Sequence, residues 1–257
     1  MKPLIPVSAA ARVSLGVGFF AMFIGAWAAV TYSGYVPPLF LASPGQALMA
    51  GWSLLTEYGF AGDIAITVWR VVGGFAVASA IGVPLGLMMG AFKPVEAFFE
   101  PFVSFARYLP ASAFIPLLIL WVGIGETQKL SLIFIGSFFQ IVIMVSVIAG
   151  GTRIDLVEAA YTLGAKSRGI VRRVILPSSA PLVMETLRLV LGWAWTYVIV
   201  AELIGAQSGI GHMIMDSQRL LDTGQMIFGI VLIGLIGLAT DFLFKAVNRR
   251  LFPWASL

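Results

Sequence analysis

The chain has 257 residues, 60% of them hydrophobic and 11% charged, with a formal net charge of +4. Soluble domains carry about 25% charged residues, so this composition excludes a water-soluble enzyme, a disordered tail and a nucleic-acid-binding domain. With no cysteine and a single histidine, His212, there is no disulfide framework, no thiolate nucleophile and no Cys- or His-rich metal site.

A spanning helix needs about 20 mostly apolar residues. Six segments read this way in chain order: residues 13–30, 71–92, 108–125, 130–152, 181–204 and 226–240. The expected fold is an all-α polytopic bundle of six transmembrane helices. The first segment has a second reading as a signal peptide, because Ala26-Trp27-Ala28 resembles a small-residue cleavage site. Basic residues flank the spans unevenly. With the N-terminus inside, that side holds Lys2, Arg12, Lys93, Arg153, Lys166, Arg168, Arg172, Arg173, Lys245, Arg249 and Arg250. The other side holds only Lys129 and Arg219, together with Glu57, Asp63, Glu126, Asp216 and Asp222. Both termini are therefore expected in the cytoplasm.

The second span repeats small residues every fourth position: Gly74, Ala78, Gly82, Gly86 and Gly90. Such a stripe lets helix backbones approach closely. Pro84, Pro110 and Pro116 are expected to kink or shorten their helices. Ionisable residues within spans or at their edges are costly and serve function or pairing. Arg70 and Glu202 lie at similar depths, which predicts a pair or a shared polar network. Arg188 can pair with Glu185 one helical turn away. Arg107 has no partner within a turn, leaving an anion path or an interfacial, snorkelling arginine. Trp193, Trp195 and Tyr197 either line a cavity or pack; His212 is a loop histidine or a docking contact.

The inner loop 153–177 is amphipathic. Asp155 with Glu158 three residues later reads as a capped helix start, and Leu156, Ala159, Ala160 and Leu163 keep helical spacing. Gly164 reads as the left-handed stop. Ser167 can cap a second short helix, with Ile170, Val171, Val174 and Ile175, that ends at Pro177. The expected product is a helix–turn–helix with an apolar ridge and a basic rim.

Glu158-Ala159-Ala160, then Gly164, then Val174-Ile175-Leu176-Pro177 resembles the EAA loop of ABC-importer permeases. Trp121-Val-Gly-Ile-Gly-Glu126, Ala201-Glu202-Leu203-Ile204 and Gly209-Ile-Gly211 resemble the nitrate/sulfonate/taurine/bicarbonate group. Gln140 stands where many of that group carry Pro. The resemblance implies a type I importer permease fold with cytoplasmic coupling helices, as one domain over residues 1–257. Within it, 1–60 would be an N-terminal helix and periplasmic segment, and 61–253 the core. It further implies Asp155, Glu158, Ala159, Ala160, Gly164 and Pro177 as the ATPase-coupling residues. Arg70, Arg107, Arg188 and Glu202 would form the translocation path or an intramembrane network. The implied partners are two ABC ATPase subunits carrying ATP-Mg, a second permease copy and a periplasmic or lipid-anchored binding protein, in the bacterial inner membrane.

No cofactor, metal or catalytic residue is expected in this chain. Gly164-Ala165-Lys166-Ser167 lacks the glycines and preceding strand of a phosphate-binding loop. Gly16-Val-Gly18 and Gly209-Ile-Gly211 have no βαβ unit around them. An ion-coupled secondary transporter using Glu202 or Asp241 is the alternative, and it predicts inverted repeats that the sequence does not display.

Overall fold

The computed structural model of the protein describes residues 7–255, which are helices and turns with no strand among them. Lys2 lies outside the described residues. Two compact units emerge: residues 7–60 with 213–231, and residues 61–212 with 232–255. In the first, α1 (Ala9–Tyr32) is apolar all round and none of its most apolar window is buried. A Ser43–Gln46 capping box starts α2 (Pro44–Glu57), and the Trp27 indole donates to the Ala42 carbonyl over 3.0 Å.

In the second unit, α3 (Ala61–Ala91) packs against α6 (Glu126–Gly150), which packs against α9 (Leu176–Leu203). The small-residue stripe is what joins α3 to α6. A Cβ on Gly74 would lie 2.8 Å from Ile133 Cβ, and one on Gly86 would lie 2.7 Å from the Val142 carbonyl oxygen. Lipid tails are as apolar as leucine, so such close approach and its dispersion contacts, rather than hydrophobic burial, hold these helices together. Val71, Ala78, Ile133, Ile141 and Val145 form the seam, joined by Val190, Ala194, Trp195 and Val198 of α9. α3 continues through Pro84 without a break.

Three expectations need correction. The third span is not one helix over 108–125. Only Ala111–Val122 is helical there, about 18 Å long and too short to cross a core of about 30 Å. It forms a bent pair with α4 (Lys93–Ala106), the two halves meeting at 84°. Pro110 causes the break, since it offers no N–H and pushes Leu109 out of the helical region. The second half is a 3₁₀ turn, Ala111–Phe114, followed by α5 (Ile115–Val122) with Pro116 in its first turn. Counting this pair as one span, the candidate membrane spans number six among the described residues.

The loop's second helix, moreover, does not end at Pro177. After α7 (Ile154–Thr162), α8 (Ser167–Ile170) runs through a π turn, Val171–Ile175, directly into α9. Pro177 falls in the first turn of α9, and the wide π turn accommodates its missing donor. The chain closes with α10 (Ile210–Arg219) and α11 (Thr223–Leu251). His212 therefore sits in a helix, half-buried, and not in a loop.

Candidate functional site

At the end of the second unit where α3 and α6 begin and α9 stops, polar groups converge. Arg70 and Glu202 come together at 2.7 Å, with the Arg70 side chain 1% exposed and that of Glu202 0%. Arg70 also donates from Nε and Nη2 to the two oxygens of Glu126, at 2.7 and 2.5 Å, a bidentate fork. Lys129, 3% exposed, reaches Glu126 at 3.3 Å. Two cations and two carboxylates thus close into a neutral cluster.

The segment following α9 is tied onto that cluster. Arg70 Nη1 donates to the Ser208 carbonyl over 2.8 Å, and the backbone N–H of Gly211 donates to Glu202 over 2.8 Å. Thr67 donates its hydroxyl to Glu202 over 2.8 Å and accepts from the Ile210 N–H over 2.9 Å. Asp63 accepts from the Gly209 N–H over 2.6 Å. Gly209 has φ of +113°, and a Cβ there would lie 2.5 Å from Glu202 Cδ. Gly209-Ile-Gly211 is thus a close-approach motif over a buried carboxylate. Sequence reasoning missed Asp63, Thr67, Glu126, Lys129 and Ser208 as members, although Glu126 closes the Trp121-Val-Gly-Ile-Gly-Glu126 motif.

A second charge chain lies further along α9. Arg188 bonds Glu185 at 2.8 Å and is also ion-paired to Asp241 of α11. Lys245 adds a 2.7 Å contact to Asp241, and Asn248 donates to Glu185 over 2.8 Å. Glu202 and Asp241, the two carboxylates that proton coupling would need, are therefore both held by cations.

Arg107 is not within a helix but is the residue that ends α4. Its guanidinium carbon lies 4.7 Å from the Tyr108 ring centroid, its Nη2 donates to the Tyr108 hydroxyl over 2.8 Å, and its Nε is buried without a partner. The aromatic triplet divides. Trp195 is 3% exposed in the core and donates to Thr240, Trp193 is exposed, and the Tyr197 ring packs against Gly136.

The loop is built differently from the expectation at its caps. Arg153 precedes α7 and Asp155 lies in its first turn; no side chain caps it. Asp155 instead pairs with Arg153 at 2.5 Å, and the guanidinium holds its carboxyl below the usual carboxylate range. Likewise Lys166 precedes α8, and Ser167 is its first residue and not its cap. The turn between the helices is a Schellman motif. Ala165 N–H reaches the Ala160 carbonyl at 2.9 Å, Gly164 N–H reaches Tyr161 at 2.8 Å, and Gly164 has φ of +81°.

The apolar ridge splits into two faces. Val157, Ala160, Ala165, Val171 and Val174 pack with Ile170 and Ile175 against Ala149, Leu87 and Ala91. Leu156, Tyr161 and Leu163 remain 43%, 54% and 87% exposed, with Glu158 and Ala159 on the open side as well. One face anchors the loop to α3 and α6; the other is open for a partner. Among the described residues no cluster of three His, Asp or Glu side chains is placed to hold a metal.

The model of the binding-protein-dependent transport system inner membrane component family matches residues 82–253. A probable ABC transporter permease of Brucella melitensis is 38% identical over 91% of this chain and 94% of its own. The taurine transport system permease of Escherichia coli K12 is 33% identical over 95% of this chain and 90% of its own. Among solved structures, the MetNI methionine ABC transporter in an inward-facing conformation overlays with a TM-score of 0.62 at 20% identity, covering 74% of this chain and 97% of the other. The chain belongs to the binding-protein-dependent transport system inner membrane components and is a multi-pass ABC-importer permease of the nitrate/sulfonate/taurine group.

Proposed function

We propose that this permease imports a small anion of the taurine, alkanesulfonate, nitrate or bicarbonate class by alternating access, with ATP-Mg bound and hydrolysed on separate subunits. One observation carries the reading: kinship with a taurine permease extends over 95% of the chain. The open face of α7 supports it, because Glu158, Ala159 and Leu163 offer a small, exposed ridge to an ATPase groove. The assembly is two copies of this permease domain, two ATPase subunits and a binding protein on the outer side. Both termini and the loop with Asp155, Glu158, Ala159, Ala160, Gly164 and Pro177 face the cytoplasm. The chain itself carries no catalytic group.

Uptake into proteoliposomes holding permease, ATPase and binding protein tests this directly. Labelled taurine, an alkanesulfonate or nitrate should enter only with ATP; entry driven by a proton gradient without ATP would overturn it. Gly164→Val places a β-branched side chain at a left-handed position, with open space within 4 Å of its Cβ. That variant should reach the membrane but lose ATPase co-purification or substrate-stimulated hydrolysis. Orientation is read by labelling in a chain without native cysteine. Gln207→Cys should react with an impermeant reagent from outside, and Ser167→Cys should not.

A further inference from the structure

The break in the third span opens a pocket of about 290 Å³ lined by Arg107, Tyr108, Ser112, Leu132, Thr196 and Tyr197 among others. Leu132 lies six residues into α6, about 9 Å from its start, and Thr196 lies seven residues before the end of α9, about 10 Å from it. The pocket therefore sits at membrane depth, below the Arg70–Glu202 cluster. Every carboxylate of that cluster is already paired, and no carboxylate lines the pocket. The Arg107 charge is thus uncompensated there, and a cation within the hydrocarbon layer calls for an anionic partner.

The guanidinium is also oriented. Tyr108 takes Nη2 and presents its ring face, while the buried Nε has no acceptor. The backbone holds the residue in place as well, because Arg107 N–H bonds the Val103 carbonyl at 3.1 Å as the end of α4. Ser112, Thr196 and Tyr197 line the same space, and Gly136 gives the Tyr197 ring its seat. The volume holds about ten waters' worth of space, room for an anion of a few heavy atoms and its residual hydration.

We propose that this pocket is an anion-binding subsite on the path, in which Arg107 receives the oxyanion head group of a sulfonate- or nitrate-like substrate. The assignment rests on the anion-import reading above. The bend at Pro110 is what creates it, because an unbroken span would fill the space with its own turns.

The test uses Ser112→Cys in the full permease–ATPase complex, which has no other cysteine in this chain. The probes are the negatively charged sulfonatoethyl methanethiosulfonate and its positively charged trimethylammonium counterpart. Near an unpaired arginine the anionic probe should react roughly tenfold faster relative to small-thiol controls. That preference should vanish in Ser112→Cys/Arg107→Gln and persist with Arg107→Lys, and free taurine should slow the anionic probe in the arginine background. Equal rates for both probes with Arg107 intact would overturn the subsite. If Arg107→Gln fails to assemble, the taurine protection and the probe ratio in the arginine background still decide the matter. Anion-selective labelling combined with no ATP-driven uptake of any anion would instead count against the import reading.

Discussion

The second unit contains two charge clusters of matching composition, and they differ in burial. Arg70, Lys129, Glu126 and Glu202 make one; Arg188, Lys245, Glu185 and Asp241 make the other. In the first, Arg70, Glu202 and Lys129 have 1%, 0% and 4% of their side chains exposed, and only Glu126, at 49%, reaches the surface. In the second, Arg188 and Asp241 keep 19% and 29%, and Lys245 47%. The first cluster also collects backbone N–H groups from Gly211 and, through Thr67 and Asp63, from Ile210 and Gly209. The second pairs side chains along and between two helices, with one amide from Asn248. Equal numbers of ion pairs therefore do different jobs. The buried set fixes the course of a connecting segment, whereas the accessible set links α9 to α11 with water able to substitute.

Single substitutions should separate the two, starting with the buried set. Arg70→Met leaves the fully buried Glu202 carboxylate without its cation and should cost about 3–5 kcal/mol, read as lost assembly or a large fall in thermal midpoint. Glu202→Gln should cost less, since Arg70 retains Glu126, and the double variant should be milder than the sum of the two. Strict additivity would show that the contact carries no coupling.

Next in size is Gly209→Ala. The left-handed backbone and the 2.5 Å approach to Glu202 Cδ should together cost about 1–3 kcal/mol. Limited proteolysis after Ile204 should accelerate, and an unchanged pattern would mean that the segment is not held by the carboxylate. Asp241→Asn in the accessible set should cost about 1 kcal/mol or less, because solvent screens its partners. A loss as large as that for Arg70→Met would show that the two sets do not differ in their desolvation.

The smallest effect belongs to the fully exposed Arg153–Asp155 pair. The Asp155 carboxyl is depressed below its ordinary value, so whatever it contributes is present above that value and lost as pH falls through the lower, folded one. Asp155→Asn should therefore differ from the parent by a small, constant amount between about pH 5 and pH 8, and the two should converge in stronger acid, where the parent's carboxyl is itself neutral. A large loss of ATPase coupling at neutral pH would mark Asp155 as a direct contact to the partner.

The spans, the small-residue stripe and the left-handed turn at Gly164 were legible because each depends on local periodicity or on one residue's steric freedom. The Arg70–Glu202 pair was legible because depth along two helices can be counted in residues. Lys129 and Thr67 were not. Partners across an interface depend on helix rotation, which no single helix encodes. The bend at Pro110 was anticipated as a kink, yet its 84° angle merged two segments that the apolar count had split differently. The fusion of α8 with α9 escaped for a similar reason: proline is read as a stop, and a π turn upstream removes the clash that makes it one. Asp155 stands two positions past the residue that precedes α7, Arg153, which takes its side chain, and Ser167 one position past Lys166.

That fusion leaves one continuous helical path from Ser167 to Leu203, 37 residues or about 55 Å long. The basic rim of Arg168, Arg172 and Arg173 sits at one tip, and Glu202 lies one residue before the other. A strut of this kind has no slack except at its five-residue π turn. A push on the rim is met either by translation of the whole rod, which drags the buried carboxylate, or by rewinding of that one turn.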